Sequence, residues 1–480
     1  MTVSAQGQNQ RQSRAGRVDP ARRAVCDVLL AVANRGAYAN LLLPSMLRER
    51  QLSGRDAALA TELCYGTLRG QGTYDAILGV CSDRKVARMD PPVREVLRLG
   101  VHQLLATRIA AHAAVATSVD LAKAVAGHKP AGFVNAVLRR VSARDMEGWM
   151  AVVAPDRATD PAGHLAVRHS YPPWIVTAFR EALGEAADGE LAETEQLLAA
   201  GNTGPRVTLC AIPGRCEPGE LTGTDLGASE PARWSPYGVY LAHGDPAAIA
   251  AVRERRATVQ DEASQLAVLA LSRAEVTGQD RLWLDMCAGP GGKAALLAGL
   301  AAGRDARLLA SDVRERRAAM ARDTITAATQ TAKNALAGTV IADGTAPAWR
   351  AGAFDRVLAD VPCSGLGSLR RRPESRWRRS PGQVAELGKL QRSLLETALD
   401  SVRPGGVVGY VTCSPHIAET RDVLTDVLAG RADLEVLDAP ALLPEVTGVS
   451  CPAPYGKYVQ FWPHRHGTDA IFLAVIRRRG

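Results

Sequence analysis

The chain has 480 residues, of which 46% are hydrophobic and 22% charged, and its formal net charge is +8. These proportions are typical of globular proteins and exclude a disordered chain, while the length predicts more than one domain. We expect neither a membrane helix of about 20 apolar residues nor a secretory leader, so a cytoplasmic location is predicted. The excess of positive charge is compatible with a polyanionic partner.

Cysteine usage points to a reduced protein without a structural metal. The nine cysteines are scattered, and none belongs to a C-x-x-C pair. A zinc site is therefore not expected. A disulfide framework is also not expected in a long chain that lacks a secretion signal.

The first part of the chain is predicted to be helical. Residues 1–18 are basic and rich in Gln, which predicts a flexible tail. Asp19-Pro20 can cap and begin a helix that ends near Gly36. Helical periodicity continues, and an all-α domain is predicted over residues 19–145. Its further helices are expected at residues 55–69, 92–107, 111–127 and 132–141.

The remainder is predicted to contain a small and a large α/β part. Residues 146–255 combine Gly and Pro clusters with short mixed elements, which predicts a helical connector and a small α+β segment. Residues 256–480 alternate apolar runs with helical stretches, which predicts a doubly wound parallel sheet. A helix is expected at 383–402, stopped by Pro404-Gly405-Gly406. Strands are predicted at residues 281–287, 307–312, 339–343, 354–360 and 407–413.

A glycine-rich turn follows the first of these strands. The segment Cys287-Ala288-Gly289-Pro290-Gly291-Gly292-Lys293 allows close approach to a ligand, and the next helix would favour a carboxylate or phosphate. It is not a Walker A loop, because Cys287 and Ala294 replace a required glycine and hydroxyl. Gly289, Gly291 and Ala294 formally match the fingerprint of a dinucleotide-binding loop. Asp312, at the next strand end, suits a ribose diol, and Asp343 could contact the adenine side of a cofactor.

Two cysteines follow the last two predicted parallel strands. Cys363 lies in Asp360-Val361-Pro362-Cys363-Ser364, and Cys413 lies in Thr412-Cys413-Ser414-Pro415. Ligands of such sheets bind at the carboxyl ends of the strands, so the two cysteines are expected in one cleft. A lone cysteine is more often a small buried hydrophobe, but two at adjacent strand ends favour chemistry.

At these motifs the sequence resembles the family of RNA 5-methylcytosine methyltransferases related to Sun/Fmu and nucleolar Nop proteins. The resemblance implies a Rossmann-like domain that transfers a methyl group from S-adenosylmethionine to carbon 5 of a cytosine. Cys413 would be the nucleophile that attacks carbon 6, and Cys363 would assist release of the methylated RNA. Asp360 would contact both cofactor and cytosine, with Lys293 beside them. The implied cofactor-binding residues are Cys287, Ala288, Gly289, Pro290, Gly291, Gly292, Lys293, Asp312, Asp343 and Asp360.

The resemblance extends over nearly the whole chain. Within the catalytic part it includes Arg372-Pro373-Glu374, the opening segment Val259-Gln260-Asp261-Glu262-Ala263-Ser264 and the lead-in His466-Gly467-Thr468-Asp469. The all-α part resembles NusB, and an RNA-binding role is implied for it and for the α+β segment. This combination is typical of the bacterial RsmB branch, which acts on small-subunit ribosomal RNA. Departures occur at Gly289, Ala294 and Glu419-Thr420-Arg421.

A loop after Cys363 is rich in arginine. Guanidinium groups pair with phosphates, and an aromatic ring can stack on an unpaired base. The predicted RNA-binding residues are Arg371, Arg372, Arg376, Trp377 and Arg378. Because ring carbons are inaccessible inside a stacked helix, the target cytosine is expected to be unpaired or flipped out.

Other functions stay open at this point. The same chemistry could act on transfer RNA, and an inert RNA-binding assembly factor would predict a lost cysteine or a broken cofactor loop, neither of which occurs. A nicotinamide dehydrogenase would leave both cysteine motifs unexplained. The favoured hypothesis is a monomeric, metal-independent methyltransferase whose partner is small-subunit ribosomal RNA.

Overall fold

The computed structural model describes residues 18–186, 189–222, 229–329 and 335–480. It divides into two compact units. Of the described residues, the first unit comprises 18–177, 189–198 and 371–378, and the second comprises 178–186, 199–222, 229–329, 335–370 and 379–480. The predicted flexible tail lies outside the described residues, apart from Val18.

Helices follow one another from Pro20 to Asn202. The first begins as predicted, because the Asp19 carboxylate accepts a hydrogen bond of 2.8 Å from the backbone N–H of Arg22. It ends at Gly36, whose φ of 64° is left-handed. The helices are Pro20–Arg35, Ala39–Glu49, Gly54–Arg69, Gln71–Cys81, Pro91–Ala106, Ala111–Ala126, Ala131–Val141, Met146–Val153, Pro161–His169, Pro173–Leu183 and Ala192–Asn202.

One apolar core holds the first unit together. Its central helix, Pro91–Ala106, buries residues on nearly every side, including Val96, Leu97 and Val101. Buried residues of the neighbouring helices, such as Leu63 and Leu138, pack in the same cluster. Each fully buried Leu or Val side chain contributes about 1.5–3 kcal/mol. The prediction of an all-α fold for this part of the chain is confirmed.

A small antiparallel sheet opens the second unit. Its strands are β1 (Val207–Ala211), β2 (Glu230–Pro231), β3 (Gly238–Leu241) and β4 (Ala257–Val259), in the order β2-β3-β1-β4. Short helices at Pro218–Thr222 and Ala250–Arg253 accompany it. Buried residues such as Leu209, Val239 and Ile249 form its core.

A larger mixed sheet forms the rest of the second unit. Its strands run in the order β10-β12-β9-β8-β5-β6-β7, and β11 pairs with β12. They are β5 (Leu282–Asp285), β6 (Arg307–Asp312), β7 (Leu336–Ile341), β8 (Phe354–Asp360), β9 (Val402–Thr412), β10 (Leu434–Val436), β11 (Val459–Gln460) and β12 (Phe472–Arg478). The helices are Glu262–Arg273, Gly292–Ala302, Glu315–Ala328, Pro381–Ser401, Arg421–Leu428 and Pro463–His466. Among the described residues of both units, short 3-10 turns occur at Val86–Arg88, Pro246–Ala248, Leu366–Ser368, Pro373–Trp377, Ile417–Glu419 and Pro440–Leu442.

Helices cover both faces of this sheet, as a doubly wound fold requires. Along β5, Trp283 joins the core cluster under helices 262–273 and 292–302, whereas Leu284 joins the cluster under helix 381–401. Strands β5 to β9 are parallel, but β12 pairs antiparallel with β9, and β10 and β11 pair antiparallel with β12. The prediction of a Rossmann-like α/β fold is therefore confirmed, and the expectation of a wholly parallel sheet is corrected to a mixed one.

The segment Pro404-Gly405-Gly406, which was predicted to stop a helix, lies in a strand. The long helix ends at Ser401, and β9 begins directly at Val402. Pro404-Gly405-Gly406 therefore lies inside β9, where the pairing with β8 shifts register.

Within the described ranges, no helix is long and apolar enough to cross a membrane.

Candidate active site

The carboxyl ends of the parallel strands bring the predicted site residues to one edge of the sheet. Asp360 ends β8, Asp285 ends β5 and Asp312 ends β6, while Asp343 follows the end of β7. Cys413 directly follows β9, which pairs with β8. Because these strands are neighbours, acids and cysteines distant in sequence share one edge.

The two cysteines of this edge face each other. The Sγ atoms of Cys363 and Cys413 are 3.0 Å apart, and both side chains are partly exposed. Accepting the hydrogen bond from Cys363 lowers the pKa of Cys413, whereas the pKa of Cys363 is raised by the same bond and by burial. The arrangement favours a thiolate at Cys413 and a thiol at Cys363.

A lysine stands beside the thiols. Lys293 Nζ lies 2.8 Å from Asp360 Oδ2, and both groups are mostly buried. Burial acts to lower the pKa of Lys293, but the Asp360 carboxylate outweighs it and raises that pKa. The lysine charge also favours the thiolate of Cys413 against the opposing effect of burial. The site therefore holds a protonated lysine next to its nucleophile.

Asp285, also at this edge, has a strongly raised pKa. Asp285 is 1% exposed. Burial and the nearby Asp360 charge raise the pKa of Asp285 to about 8. Its Oδ1 accepts a long hydrogen bond of 3.3 Å from the backbone N–H of Cys287. Sequence reasoning assigned this acid no role, although an acid that closes a buried apolar strand is itself a signal.

The glycine-rich turn is held close to the neighbouring acid. Gly289 N–H donates to Asp312 Oδ2 at 3.1 Å, and Arg317 donates to the Gly289 carbonyl. A methyl group at residue 289 would lie 2.5 Å from the Cβ of Arg317, so glycine permits this close contact. Gly291 has a φ of 108°, which disfavours any other residue. A side chain at Gly292 would point into open space, which leaves room for a ligand at the helix start.

Asp312 and Asp343 differ in their surroundings. Asp312 is buried, and its Oδ1 accepts a hydrogen bond of 2.9 Å from the backbone N–H of Arg314. Asp343 is exposed, and the backbone N–H and hydroxyl of Thr345 lower the pKa of its carboxylate. Both oxygens of a carboxylate have two acceptor positions, so either acid can accept further hydrogen bonds from hydroxyl groups.

Two exposed apolar side chains flank these acids. Val313 follows β6 and is 62% exposed, and Ile341 ends β7 and is 59% exposed. Asp312 and Ile341 are register partners in the sheet. Exposed apolar groups beside two carboxylates suit a flat, apolar ring that carries a polyhydroxylated sugar. Neither residue was singled out from the sequence, because single apolar residues near strand ends are common.

A buried glutamate joins the two cysteine-bearing turns. Glu419 is fully buried. Its Oε1 accepts from Ser364 N–H at 2.7 Å and from Gln391 Nε2 at 3.1 Å, and its Oε2 accepts from the hydroxyls of Ser364 at 2.5 Å and Ser414 at 2.6 Å. Ser364 follows Cys363, and Ser414 follows Cys413. From the sequence, the altered Glu419-Thr420-Arg421 segment weakened any role for this residue, so its position is a finding of the structure.

The arginine-rich segment is part of the first compact unit. Arg376 is fully buried, with its guanidinium carbon 3.7 Å from the centre of the Tyr171 ring and hydrogen bonds to two backbone carbonyls, those of Arg69 and Ser170. Burial lowers its pKa to about 10. The prediction that Arg376 contacts RNA is therefore corrected, because its side chain is enclosed by protein.

Its neighbours are also engaged but remain partly accessible. Arg378 donates to the backbone carbonyls of Val32, Gly36 and Ala37 at the end of the first helix. Arg372 is exposed, and Trp377 is 38% exposed. For Arg371, Arg372, Trp377 and Arg378, contact with RNA stays a prediction.

Two family models match the chain. Residues 271–477 match 16S rRNA methyltransferase RsmB/F, and residues 19–143 match the NusB family. The first match contains Asp360, Cys363 and Cys413.

Similar proteins span nearly the whole chain. A Mycobacterium tuberculosis protein (strain ATCC 25618 / H37Rv), named as a methyltransferase without a substrate, is 48% identical and covers 96% of this chain and 97% of its own. The ribosomal RNA small subunit methyltransferase B of Sodalis glossinidius (strain morsitans) is 31% identical and covers 95% of this chain and 96% of its own. A solved structure described as that of PH0851 has a TM-score of 0.77 at 19% identity and covers 96% of this chain and 99% of its own, which shows the shared fold.

Proposed function

Because the chain belongs to the RsmB/F family of rRNA methyltransferases, which use S-adenosylmethionine, we propose that it methylates carbon 5 of a cytosine in small-subunit ribosomal RNA. The nucleophile we propose is Cys413. The observation that carries this proposal is the pair of thiols 3.0 Å apart, next to the Lys293–Asp360 ion pair.

The residues at the strand ends fit S-adenosylmethionine. Asp312 and Asp343 could accept hydrogen bonds from ribose hydroxyls, while Val313 and Ile341 could contact the adenine. The open space at Gly292 and the helix start behind it suit the carboxylate of the amino acid part. When bound, this cofactor supplies an electrophilic methyl group on a positively charged sulfur.

The first step we propose is addition of the Cys413 thiolate to carbon 6 of the cytosine. Carbon 5 of the free ring is a poor nucleophile, and a sulfur at carbon 6 converts the ring into an enamine-like species. The hydrogen bond from Cys363 and the charge of Lys293 support the thiolate form of Cys413. One difficult step is thus divided into two easier ones.

A proton is needed at ring nitrogen 3 while negative charge develops there. Asp360 accepts a hydrogen bond from Lys293, so within this pair the transferable proton belongs to the lysine. We propose that Lys293 supplies the proton, directly or through Asp360, and that Asp360 orients the lysine. The family resemblance implied only that Asp360 contacts cofactor and cytosine with Lys293 beside them, and this proposal assigns the proton to the lysine.

Release of the product reverses the first bond. After methylation, carbon 5 carries both a methyl group and a proton. The proton on nitrogen 3 returns to the Lys293–Asp360 pair, and the proton on carbon 5 is lost to water. The electron pair of that C–H bond forms the double bond between carbons 5 and 6, the bond from carbon 6 to sulfur breaks, and Cys413 leaves as a thiolate. The Cys363 thiol can then donate a hydrogen bond to that thiolate, which makes Cys413 a better leaving group. Without Cys363, the covalent protein–RNA adduct should persist.

Transfer of labelled methyl from S-adenosylmethionine to unmodified small-subunit ribosomal RNA tests the proposal. Wild type is compared with Cys413→Ala and Cys363→Ala, and the labelled nucleoside is identified by digestion. We expect 5-methylcytosine from wild type and no label from Cys413→Ala. Cys363→Ala should accumulate an adduct that survives denaturing electrophoresis. Cys451→Ala, at a buried cysteine outside the site, is the matched control.

Each alternative has its own result. Label in transfer RNA and not in ribosomal RNA would overturn the proposed substrate, but the proposed chemistry would stand. Label at a position other than carbon 5 would overturn the covalent mechanism. RNA binding without any methyl transfer would mean that the chain is an inert assembly factor.

A further inference from the structure

A groove of about 480 Å³ lies in the second unit beside the small antiparallel sheet. One wall comes from strands β1 to β3 and the turn after β2, and the other is the segment 463–467, which leads into β12. Three exposed arginines line it, namely Arg206, Arg233 and Arg465. Glu230 is an exposed acid in the lining, and it pairs with Arg206 at 2.6 Å.

The guanidinium groups of two of these arginines lie over aromatic rings. The guanidinium carbon of Arg233 is 4.2 Å from the centre of the Trp234 ring. That of Arg206 is 4.2 Å from the centre of the Tyr240 ring. A guanidinium held in this way keeps its charge and presents one planar face to a further ring.

A buried carboxylate fixes this wall of the groove. Glu262 is 1% exposed and accepts hydrogen bonds from the backbone N–H groups of Trp234 at 2.5 Å and Ser235 at 2.8 Å. It also accepts one from the Tyr240 hydroxyl at 2.5 Å. Trp234 Nε1 donates to the His466 carbonyl at 3.2 Å, which ties the two walls together. The groove is therefore a fixed feature. Glu262, which supports it, belongs to the Gln-Asp-Glu-Ala-Ser segment that opens the catalytic part.

Short hydrogen bonds connect the groove to the cysteine site. The Gly467 carbonyl, in the groove wall, accepts from Arg370 at 2.7 Å. Ala470 N–H donates to the Gly367 carbonyl at 2.9 Å, and Gly367 N–H donates to the Cys413 carbonyl at 2.9 Å. The wall is thus joined to the turn that follows the nucleophile.

We propose that this groove binds the single-stranded RNA that flanks the target cytosine. The inference rests on the proposed function, since it assumes an RNA substrate. Phosphates would pair with Arg233 and Arg465, and a base would stack on the arginine faces that Trp234 and Tyr240 support. An unpaired strand suits the groove because a target cytosine must leave its stack for carbon 6 to be attacked.

Charge removal in the groove is the test. The full-length double variants Arg233→Ala/Arg465→Ala and Arg233→Glu/Arg465→Glu are titrated with a labelled, unmodified single-stranded fragment of small-subunit ribosomal RNA at several salt concentrations. We expect the Kd for RNA to rise about tenfold or more. The slope of log K against log salt should fall by about 0.7 for each phosphate that the alanine variant no longer neutralises. The Kd for S-adenosylmethionine and kcat at saturating RNA should stay at the wild-type level.

Arg307→Glu is the matched control, because Arg307 is exposed at the start of β6, the opposite edge of the sheet from the site. RNA affinity of the groove variants equal to that of this control would overturn the inference. If the groove variants had normal activity on naked RNA but reduced activity on ribosomal particles, the groove would bind a protein partner. That result would also overturn the inference. The proposed function fails by a different result, namely the absence of methyl transfer to RNA by wild type.

Discussion

The strand-end site and the arginine-rich segment both bury positive charge, and they use it differently. Lys293 lies beside an ionisable acid and a thiol, 2.8 Å from Asp360. Arg376 is enclosed by hydrogen-bond acceptors, among them the carbonyls of Arg69 and Ser170, and by the ring of Tyr171. In the first case the cation changes the pKa of its neighbours. In the second it satisfies hydrogen-bond acceptors, and although it acts to lower the pKa of Tyr171 and His169, neither group is one of the strand-end residues.

The difference teaches how to separate reactive from structural charge. A buried cation controls chemistry where its neighbours can change protonation state, and Cys413 is such a neighbour. A buried cation among neutral acceptors contributes to stability alone. The sequence alone does not distinguish the two, because Lys293 and Arg376 each lie in a segment between one strand of the sheet and the next. Substitutions in the two regions should therefore fail in different ways.

The largest effect on activity is expected from Lys293→Met. Loss of the ammonium group removes both the proton donor and the charge that supports the Cys413 thiolate, so kcat should fall about 10²–10⁴-fold. Single-turnover methyl transfer measures the loss, and the melting temperature shows that the protein is folded. Lys389→Met, at an exposed lysine on helix 381–401, is the control. Retention of half the activity by Lys293→Met would contradict the role we give this lysine.

Arg376→Met should instead affect stability. The variant loses the hydrogen bonds to two carbonyls and to the Tyr171 hydroxyl, and the free energy of unfolding should fall by about 2–4 kcal/mol. Urea unfolding measures this change, and methyl transfer per folded molecule should stay near wild type. Arg372→Met, at an exposed neighbour, should change stability by less than about 0.5 kcal/mol. Equal stability of both variants would remove the contrast between the two regions.

Glu419→Gln should have an intermediate effect that belongs to the site. The amide keeps the shape of the side chain, but it places an NH₂ group against hydrogen-bond donors that face a carboxylate oxygen in the wild type. The turns that carry the cysteines should shift, and we expect kcat to fall about tenfold with the KM for S-adenosylmethionine unchanged. Glu396→Gln, at an exposed glutamate of the helix that carries Gln391, is the control. A change confined to the melting temperature would make Glu419 a structural residue only.

The smallest effect is a displacement of the pH profile. The lowered pKa of Cys413 means that its thiolate is lost only as pH falls through that pKa, and the first-turnover rate should fall over the same interval. Cys363→Ala removes the hydrogen bond that lowers this pKa, so the acid limb should move to higher pH. The pH dependence of the first turnover, or of alkylation of Cys413, measures the shift. Cys451→Ala should leave the limb in place, and an unmoved limb in Cys363→Ala would contradict the thiol–thiolate pair.

Much of the fold could be predicted because local patterns determine it. Helical periodicity after Asp19 and the five apolar runs from residue 281 to residue 413 predicted the all-α part and the parallel strands β5 to β9. The antiparallel strands β10 to β12 were not assigned individually, because short apolar segments carry no direction. Pro404-Gly405-Gly406 was predicted to stop the preceding helix but lies inside β9, because whether such a segment ends a helix or bends a strand depends on pairing with β8.

By itself, the sequence determined which side chains stand at strand ends, since alternation of strands and helices places those ends at one edge. It thereby identified Asp312, Asp360, Cys363 and Cys413. Only the tertiary structure decided which groups touch. The contact between the two sulfurs, the Glu419 network and the burial of Arg376 join residues far apart in the chain. Hydrogen bonding and desolvation depend on distances in space, and a linear pattern does not contain those distances.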